Sequence, residues 1–183
     1  MYIFDELDDI TRLFMLEEFG KEENSPSPYR CPRLSELGMT VFPRELEKAL
    51  QLGNEESLCK AMSNPEYFQT VEYVETRGGK TIERVINCLS AAQALARMEF
   101  NAYYVRGLAA RMIADGEYYC QVCEADPEEK PSENCLDHAG KILKVRDVYQ
   151  GRRARYWPPP GKPDALCLPA GPDCNHTIKR VVR

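Results

Sequence analysis

The sequence has little of what usually identifies an enzyme or a membrane protein. It contains one tryptophan and two histidines among 183 residues. No apolar run approaches the roughly 18 residues of a transmembrane helix, so we expect no membrane contact. No basic leader followed by an apolar block comes after Met1, so we expect no signal peptide. There is no GxGxxG, phosphate loop, GxSxG or HExxH, and this predicts a non-catalytic protein.

The overall composition predicts one hydrophobic core. A chain of 183 residues with 43% hydrophobic side chains is too short for two comfortable domains. The net charge of −5 argues against a surface covered by nucleic acid. We expect a cytosolic protein, whose eight cysteines would be thiols or metal ligands rather than disulfides.

Charge is distributed unevenly along the chain. Residues 1–25 carry a net charge of −6, residues 117–140 another −6, and residues 141–183 a net charge of +7. These segments could be solvated faces. Alternatively, the acidic first segment and the basic last segment could meet opposite partners, including neighbouring copies of the chain, because complementary charge sets the register of an interface.

The first 63 residues predict helices separated by an extended arm. Apolar residues at three- and four-residue spacing predict a helix over residues 5–21, with Gly20 as its end. Residues 24–43 carry four prolines and predict an arm without regular structure. Two short helices are expected beyond the arm, over residues 44–52 with Pro43 at the start and over residues 55–63.

The strongest element is a long helix over residues 90–115. Ser90 is expected to cap its start, and Gly116 to end it. Such a helix is about 37 Å long and would form the spine of the domain. Gly107 in its interior should cost about 1 kcal/mol relative to alanine, so we expect another element to cross closely there.

Strands are predicted on both sides of this helix. The β-branched runs in residues 70–86 flank the pair Gly78-Gly79, which predicts a hairpin. Residues 117–124 predict a further strand. Three more segments are predicted: a strand or short helix at 141–149, a proline-rich extension at 158–183, and an edge strand at 177–182 within it.

Together these elements predict an α+β fold. It would have a long central helix, additional short helices, a small antiparallel sheet and extended proline-rich arms. The expected organisation is an N-terminal helix (1–23), a proline-rich arm (24–43), a core domain (44–157) and a C-terminal extension (158–183).

One cysteine–histidine pattern suits a metal ion. Cys120-x-x-Cys123 is followed, after eleven residues, by Cys135-x-x-His138. Two pairs of soft ligands suit tetrahedral zinc. However, if Cys120 and Cys123 lie on a strand, their odd offset sends the two sulfurs to opposite faces. Half-buried thiols are therefore the other interpretation.

A second grouping could complete or replace the first. It consists of Cys167, Cys174 and His176. A catalytic Cys174–His176 pair would form only if the backbone brought the two side chains within about 3 Å of each other.

The segment from Gly151 to Trp157 interleaves arginines with aromatic residues. Such a segment can hold phosphates and stack on bases, or can anchor a protein interface, or can be a plain solvated face. The residues concerned are Arg152, Arg153, Arg155, Tyr156 and Trp157.

Three stretches carry a resemblance to known proteins. They are Leu13–Glu18, Phe100–Leu108 with Arg111, and Leu168–Pro172 with His176–Ile178. Together they resemble a loosely defined set of small proteins encoded among the structural genes of tailed bacteriophages. The resemblance implies a virion component of the head–tail adaptor or connector type, assembled in the host cytoplasm as a homo-oligomeric ring beside a portal.

The leading hypothesis is therefore a structural assembly protein without a cofactor, for which nucleic acid contact stays open. The alternative is a small zinc-binding module that contacts nucleic acid. The residues expected at the interfaces of the assembly protein are Leu13, Phe14, Arg152, Arg153, Arg155, Tyr156 and Trp157.

Overall fold

The computed structural model describes residues 2–76, 78–126, 128, 138–157, 161–171 and 174–181. The α+β prediction is confirmed. The helices are α1 (Asp9–Glu23), α2 (Glu36–Leu52), α3 (Glu55–Met62), α4 (Cys88–Ala114) and α5 (Val145–Tyr156), with a 3-10 turn at Pro65–Tyr67. The strands are β1 (Val71–Glu75), β2 (Thr81–Val85), β3 (Tyr119–Glu124), β4 (Ile142–Lys144) and β5 (His176–Arg180).

Helix α4 is the spine of the core, as predicted. Its middle is buried on nearly every side, because α1, α3 and α5 all pack against it. The helix begins earlier than expected: the side chain of Asn87, and not Ser90, caps it by accepting a hydrogen bond from the Ser90 amide. Its last residue is Ala114 and its C-cap is Asp115; Gly116, the predicted stop, follows with a φ of +79°. None of the helices in the described ranges is long and apolar enough to cross a membrane.

The expected close crossing at Gly107 is present. Helix α1 runs antiparallel to α4, so that Asp8 contacts Arg111 and Glu18 contacts Arg106. Where the helices cross, a β-carbon on Gly107 would lie 2.7 Å from the amide nitrogen of Met15 and 2.9 Å from its α-carbon. Glycine at this position therefore sets how closely the two helices approach.

Two expectations for the N-terminal region are wrong. Helix α1 continues through Gly20 to Glu23, and its side-chain cap is Asp8. The extended arm ends at Ser35, which caps α2, so Pro43 lies inside a helix and not at its start. Proline in a helix interior costs about 3 kcal/mol. Burial outweighs that cost, because α2 buries Phe42, Leu46, Ala49 and Leu50 at about 1.5–3 kcal/mol for each large side chain.

The strands form two separate antiparallel sheets. Strands β1 and β2 form the predicted hairpin, with Val71 opposite Val85. The second sheet has the order β4–β3–β5, so the predicted edge strand is confirmed. The segment 141–149 divides into a strand and then a helix.

The C-terminal region is not simply an extension. Among its described residues, Cys167, Leu168 and Cys174 are buried. The carbonyl of Leu166 packs against Gly151 where no β-carbon would fit. This part of the chain folds back on α5 because glycine leaves room for its backbone.

Candidate functional site

The predicted zinc pair on β3 does not converge. Cys120 is buried in the core and its thiol lies 3.8 Å from the carbonyl oxygen of Leu143, whereas Cys123 lies on the other face of the strand and is half-buried. Burial raises the pKa of both thiols to about 11, so both are protonated near neutral pH. The predicted ligand Cys135 lies outside the described residues.

His138 lies close to His176 and not close to Cys120. The two imidazole rings are perpendicular, with centroids 6.0 Å apart. In the register of the sheet, His176 is opposite Glu124 and Arg180 is opposite Cys120. The four residue steps from Cys120 to Glu124 therefore separate Cys120 from His176 by about 13 Å along the strand. Cys120 therefore cannot share a metal with the histidines.

Two of the three residues in the second grouping come together. The Cys174 sulfur lies 3.6 Å from Nδ1 of His176, and both side chains are buried. Cys167 does not take part in this contact. Its thiol lies 3.2 Å from the carbonyl oxygen of Pro169, and the positive charge of Arg152 acts on this thiol. A buried thiol is poorly placed to attack a substrate, so the Cys174–His176 pair favours a binding or structural role over nucleophilic catalysis.

The backbone around this pair is held firmly. The buried side chain of Asn175 accepts a hydrogen bond from the Asp126 amide at 2.8 Å and donates one to the Asp126 carbonyl. The amide of Ala125 donates to the carbonyl of Asn175 at 2.7 Å. These bonds tie residues 174–176 to the end of β3, so the relative position of the cysteine and the histidine is fixed.

Several polar atoms beside the pair have no hydrogen-bond partner among the described residues. They are Nε2 of His176, Oγ1 of Thr177 and Oδ1 of Asn101. Burial, with a smaller contribution from His138, lowers the pKa of His176, so its imidazole is neutral near pH 7. In the part of the chain that is described, no set of three or more Cys, His, Asp or Glu side chains is already arranged around one metal position.

Arg152 differs from the rest of the predicted interface segment. Its guanidinium is buried, contacts both carboxylate oxygens of Glu99 at 2.9 and 2.8 Å, and lies against the rings of Tyr29 and Tyr156. The coulombic effect of Glu99 raises the pKa of Arg152, although burial opposes it. The expectation that Arg152 meets a partner at the surface is therefore corrected: this side chain holds α5 against α4.

The other residues of that segment are half-buried. Arg153 lies over the ring of Trp157 at 5.4 Å, and Arg155 over the ring of Tyr156 at 5.9 Å. The aromatic faces thus already have arginine neighbours from the same chain. An incoming base would have to displace these contacts before it could stack.

The acidic and basic ends of the chain meet each other. Arg180 on β5 forms ion pairs with Glu6 at 2.7 Å, with Asp115 at 2.6 Å and with Glu117. The Tyr149 hydroxyl also donates to Glu18 at 2.7 Å. Part of the charge complementarity that the sequence suggested for an intermolecular contact is therefore used within one molecule.

Two exposed apolar patches lie on separate elements. The α1 patch consists of Ile10 and the predicted interface residue Leu13, which is 62% exposed, while the neighbouring Phe14 is half-buried. The hairpin patch was not predicted from the sequence; it consists of Tyr73 and Val85 on one face of the hairpin and Leu89 in the first turn of α4, while the exposed Ile82 lies on the other face. The available signal in the sequence was the apolar residues in both predicted strands of the hairpin.

The comparisons with known proteins give no assignment: no protein-family model, curated protein or solved structure matches this chain.

Proposed function

We propose that this chain is a non-catalytic assembly protein that joins copies of itself head to tail through the hairpin patch. The observation that carries the proposal is the position of the β1–β2 hairpin. Its strands pair with each other and, in the described ranges, with no third strand. Every residue of β2 is exposed. A lone two-stranded hairpin is marginally stable in water, and its open edges are suited to pairing with another chain.

The exposed side chains favour a protein partner for this hairpin. By register, Val71, Tyr73 and Val85 share one face, on which Tyr73 is 70% and Val85 77% exposed. Leu89, in the first turn of α4, is also exposed. Single exposed apolar residues are ordinary, whereas a group that follows two strands is typical of an interaction site.

Hydrogen bonds hold the base of the hairpin in place, whereas the face that carries Tyr73 and Val85 is exposed. Glu72 accepts hydrogen bonds from Arg33 at 2.7 Å and from Arg84 at 2.8 Å, and these bonds lower its pKa. The amide of Ile86 donates to the carbonyl of Thr70 at 2.9 Å. An anchored base pre-organises the hairpin, and this reduces the entropy that is lost when a partner binds.

The occupant of the hairpin patch would be the α1 patch of a second copy. A head-to-tail ring requires two different surfaces on each subunit. The hairpin leads into α4 at Cys88, and α1 crosses α4 at Gly107, so the two patches are separated by about 30 Å along the helix axis. This separation leaves both patches free to act at once.

The finer proposal, a head–tail adaptor or connector in a phage virion beside a portal, rests on the resemblance alone. Its test is to co-express the chain with a portal protein encoded beside it and to purify the complex through a tag on the portal. Failure of the two to co-purify would remove the virion assignment and leave self-assembly to be judged separately.

The assembly proposal is tested by light scattering on the full chain over a range of concentrations. We expect oligomers from the wild type and monomers from Val85→Lys and from Leu13→Lys, since each variant loses one of two different surfaces. A mixture of the two variants should form dimers, because the intact hairpin patch of one can bind the intact α1 patch of the other.

Leu52→Lys is the matched control. Leu52, the last residue of α2, is 85% exposed and belongs to neither patch, so this variant should assemble like the wild type. A wild type that stays monomeric at every concentration contradicts self-assembly. A third outcome is a wild type that forms dimers, with dimers lost in Val85→Lys and kept in Leu13→Lys. It would mean a symmetric hairpin-to-hairpin contact.

The alternative, a zinc-binding module that contacts nucleic acid, stays a prediction with less support. Cys120 and Cys123 lie on opposite faces of β3, and Arg152 is buried. Zinc titration of Cys120→Ser, Cys123→Ser and Cys135→Ser tests the predicted ligands. Binding of a labelled single strand at two salt concentrations tests the nucleic acid contact.

A further inference from the structure

We propose that Cys174 and His176, with His138 as a third ligand, form a zinc site at the start of β5. The site does not depend on the proposed assembly function, because its ligands lie outside both exposed apolar patches. It also differs from the pattern expected from the sequence, since it uses neither Cys120 nor Cys123.

The separation of the first two ligands matches one tetrahedral ion. Zinc lies about 2.3 Å from a cysteine sulfur and about 2.0–2.1 Å from a histidine nitrogen, so a tetrahedral angle places sulfur and nitrogen about 3.6 Å apart. The observed distance from the Cys174 sulfur to Nδ1 of His176 is 3.6 Å. Two residues on one strand rarely meet this way; here they do because Cys174 precedes β5 and is not part of its pleat.

His138 is the candidate third ligand because its ring lies near that of His176. It lies in the turn before β4, where the amide of Lys141 donates to the His138 carbonyl at 3.1 Å. Two imidazoles on one zinc ion have centroids about 5 Å apart. The observed distance is 6.0 Å, so the His138 ring would have to move about 1 Å closer to share an ion with His176.

A thiol–imidazole hydrogen bond would also fit the 3.6 Å distance, but it gives no reason for the second imidazole. The surroundings favour an ion as well. The His176 side chain is fully buried. Residues 174–176 are fixed by the Asn175 bonds to β3. One thiolate and two imidazoles are a ligand set that suits zinc.

The proposal is tested by cobalt(II) titration of the reduced full chain, with zinc competition and native mass spectrometry to count the metal. The wild type should bind one ion per chain with a sulfur-to-cobalt charge-transfer band. Cys174→Ser should lose the band, and Cys174→Ser, His176→Asn and His138→Asn should each weaken binding at least about tenfold, since even residues that only support metal ligands cost that much.

Cys167→Ser and Cys120→Ser are the matched controls, because each removes a buried thiol away from the site. Both should bind metal like the wild type. Circular dichroism checks that each variant folds. If Cys174→Ser or His176→Asn does not fold, His138→Asn still tests the site, because it changes only a half-buried residue in a turn. A folded wild type that binds no metal, or a charge-transfer band that survives in Cys174→Ser, overturns the proposal and leaves a hydrogen bond only.

Discussion

Replacing Gly107 by alanine should destabilise the protein although it improves the intrinsic helix propensity of α4. Alanine gains about 1 kcal/mol over glycine in a helix interior. The added methyl group would lie 2.5 Å from Cγ of Met15 and under 3 Å from its backbone. Because the backbone of α1 cannot rotate away as a side-chain end could, we expect strain at or above the upper end of the usual 1–3 kcal/mol for overpacking. The net loss is about 2 kcal/mol.

Gly20→Ala is the matched control, because Gly20 also lies inside a helix. A β-carbon there would meet nothing within 4 Å, so only the gain in helix propensity of up to about 1 kcal/mol applies. For a chain of this size, 1 kcal/mol corresponds to about 2–4 °C in Tm. We therefore expect Gly107→Ala to lower Tm by about 4–8 °C and Gly20→Ala to raise it by about 2–4 °C.

Thermal unfolding followed by circular dichroism, together with urea unfolding at 25 °C, measures both variants. Equal or greater stability of Gly107→Ala would refute the reasoning, because it would mean that α1 and α4 can separate at the crossing without cost. A crystal structure of Gly107→Ala should show α1 displaced from α4 around Met15.

Two further predictions concern ion pairs. Hydrogen bonds from Arg111 and from the Thr11 amide lower the pKa of Asp8 to about 2, so its carboxylate stabilises the fold fully above about pH 4 and loses that contribution as the pH falls towards 2. Asp8→Asn should keep the helix cap and lose less than about 1 kcal/mol at pH 7, because the pair is exposed; urea unfolding should find that the difference from the wild type shrinks as the pH falls through about 2 and vanishes near pH 1. Glu99→Gln should cost about 3–5 kcal/mol in urea unfolding, because it leaves the buried Arg152 without its counter-charge. A loss below about 1 kcal/mol would mean that water or another group compensates Arg152.

Local sequence signals were sufficient to predict the elements whose residue spacing and end residues are unambiguous. The hairpin followed from Gly78-Gly79 between β-branched runs, and the spine helix from its apolar spacing and Gly116. The close crossing at Gly107 also followed from sequence, because a glycine in a helix interior needs a steric reason. The cap of α4 was misplaced because Asn87 and Ser90 are both good capping residues, and only backbone geometry distinguishes them.

Long-range packing decided what these signals could not. Pro43 suggests a helix start, yet α2 continues through it because its buried face contributes more than the proline costs. In the sequence, Arg152 looks like the other arginines of residues 151–157. It differs from them because it pairs with Glu99, which is 53 residues away, and only the packing of α5 on α4 brings the two side chains together.

The cysteines and histidines illustrate the same division. Their types and spacing indicated metal ligands, and the alternation of a strand already implied that Cys120 and Cys123 point apart. The contact between Cys174 and His176 depends on the register of β3 with β5. The proximity of the His138 ring to the His176 ring depends on the turn before β4. The sequence by itself determined the fold class, the hairpin and the central helix, because these depend on neighbours within a few residues. The tertiary structure alone decided which charges pair, which apolar residues stay exposed and which cysteine meets a histidine, because these depend on partners distant along the chain.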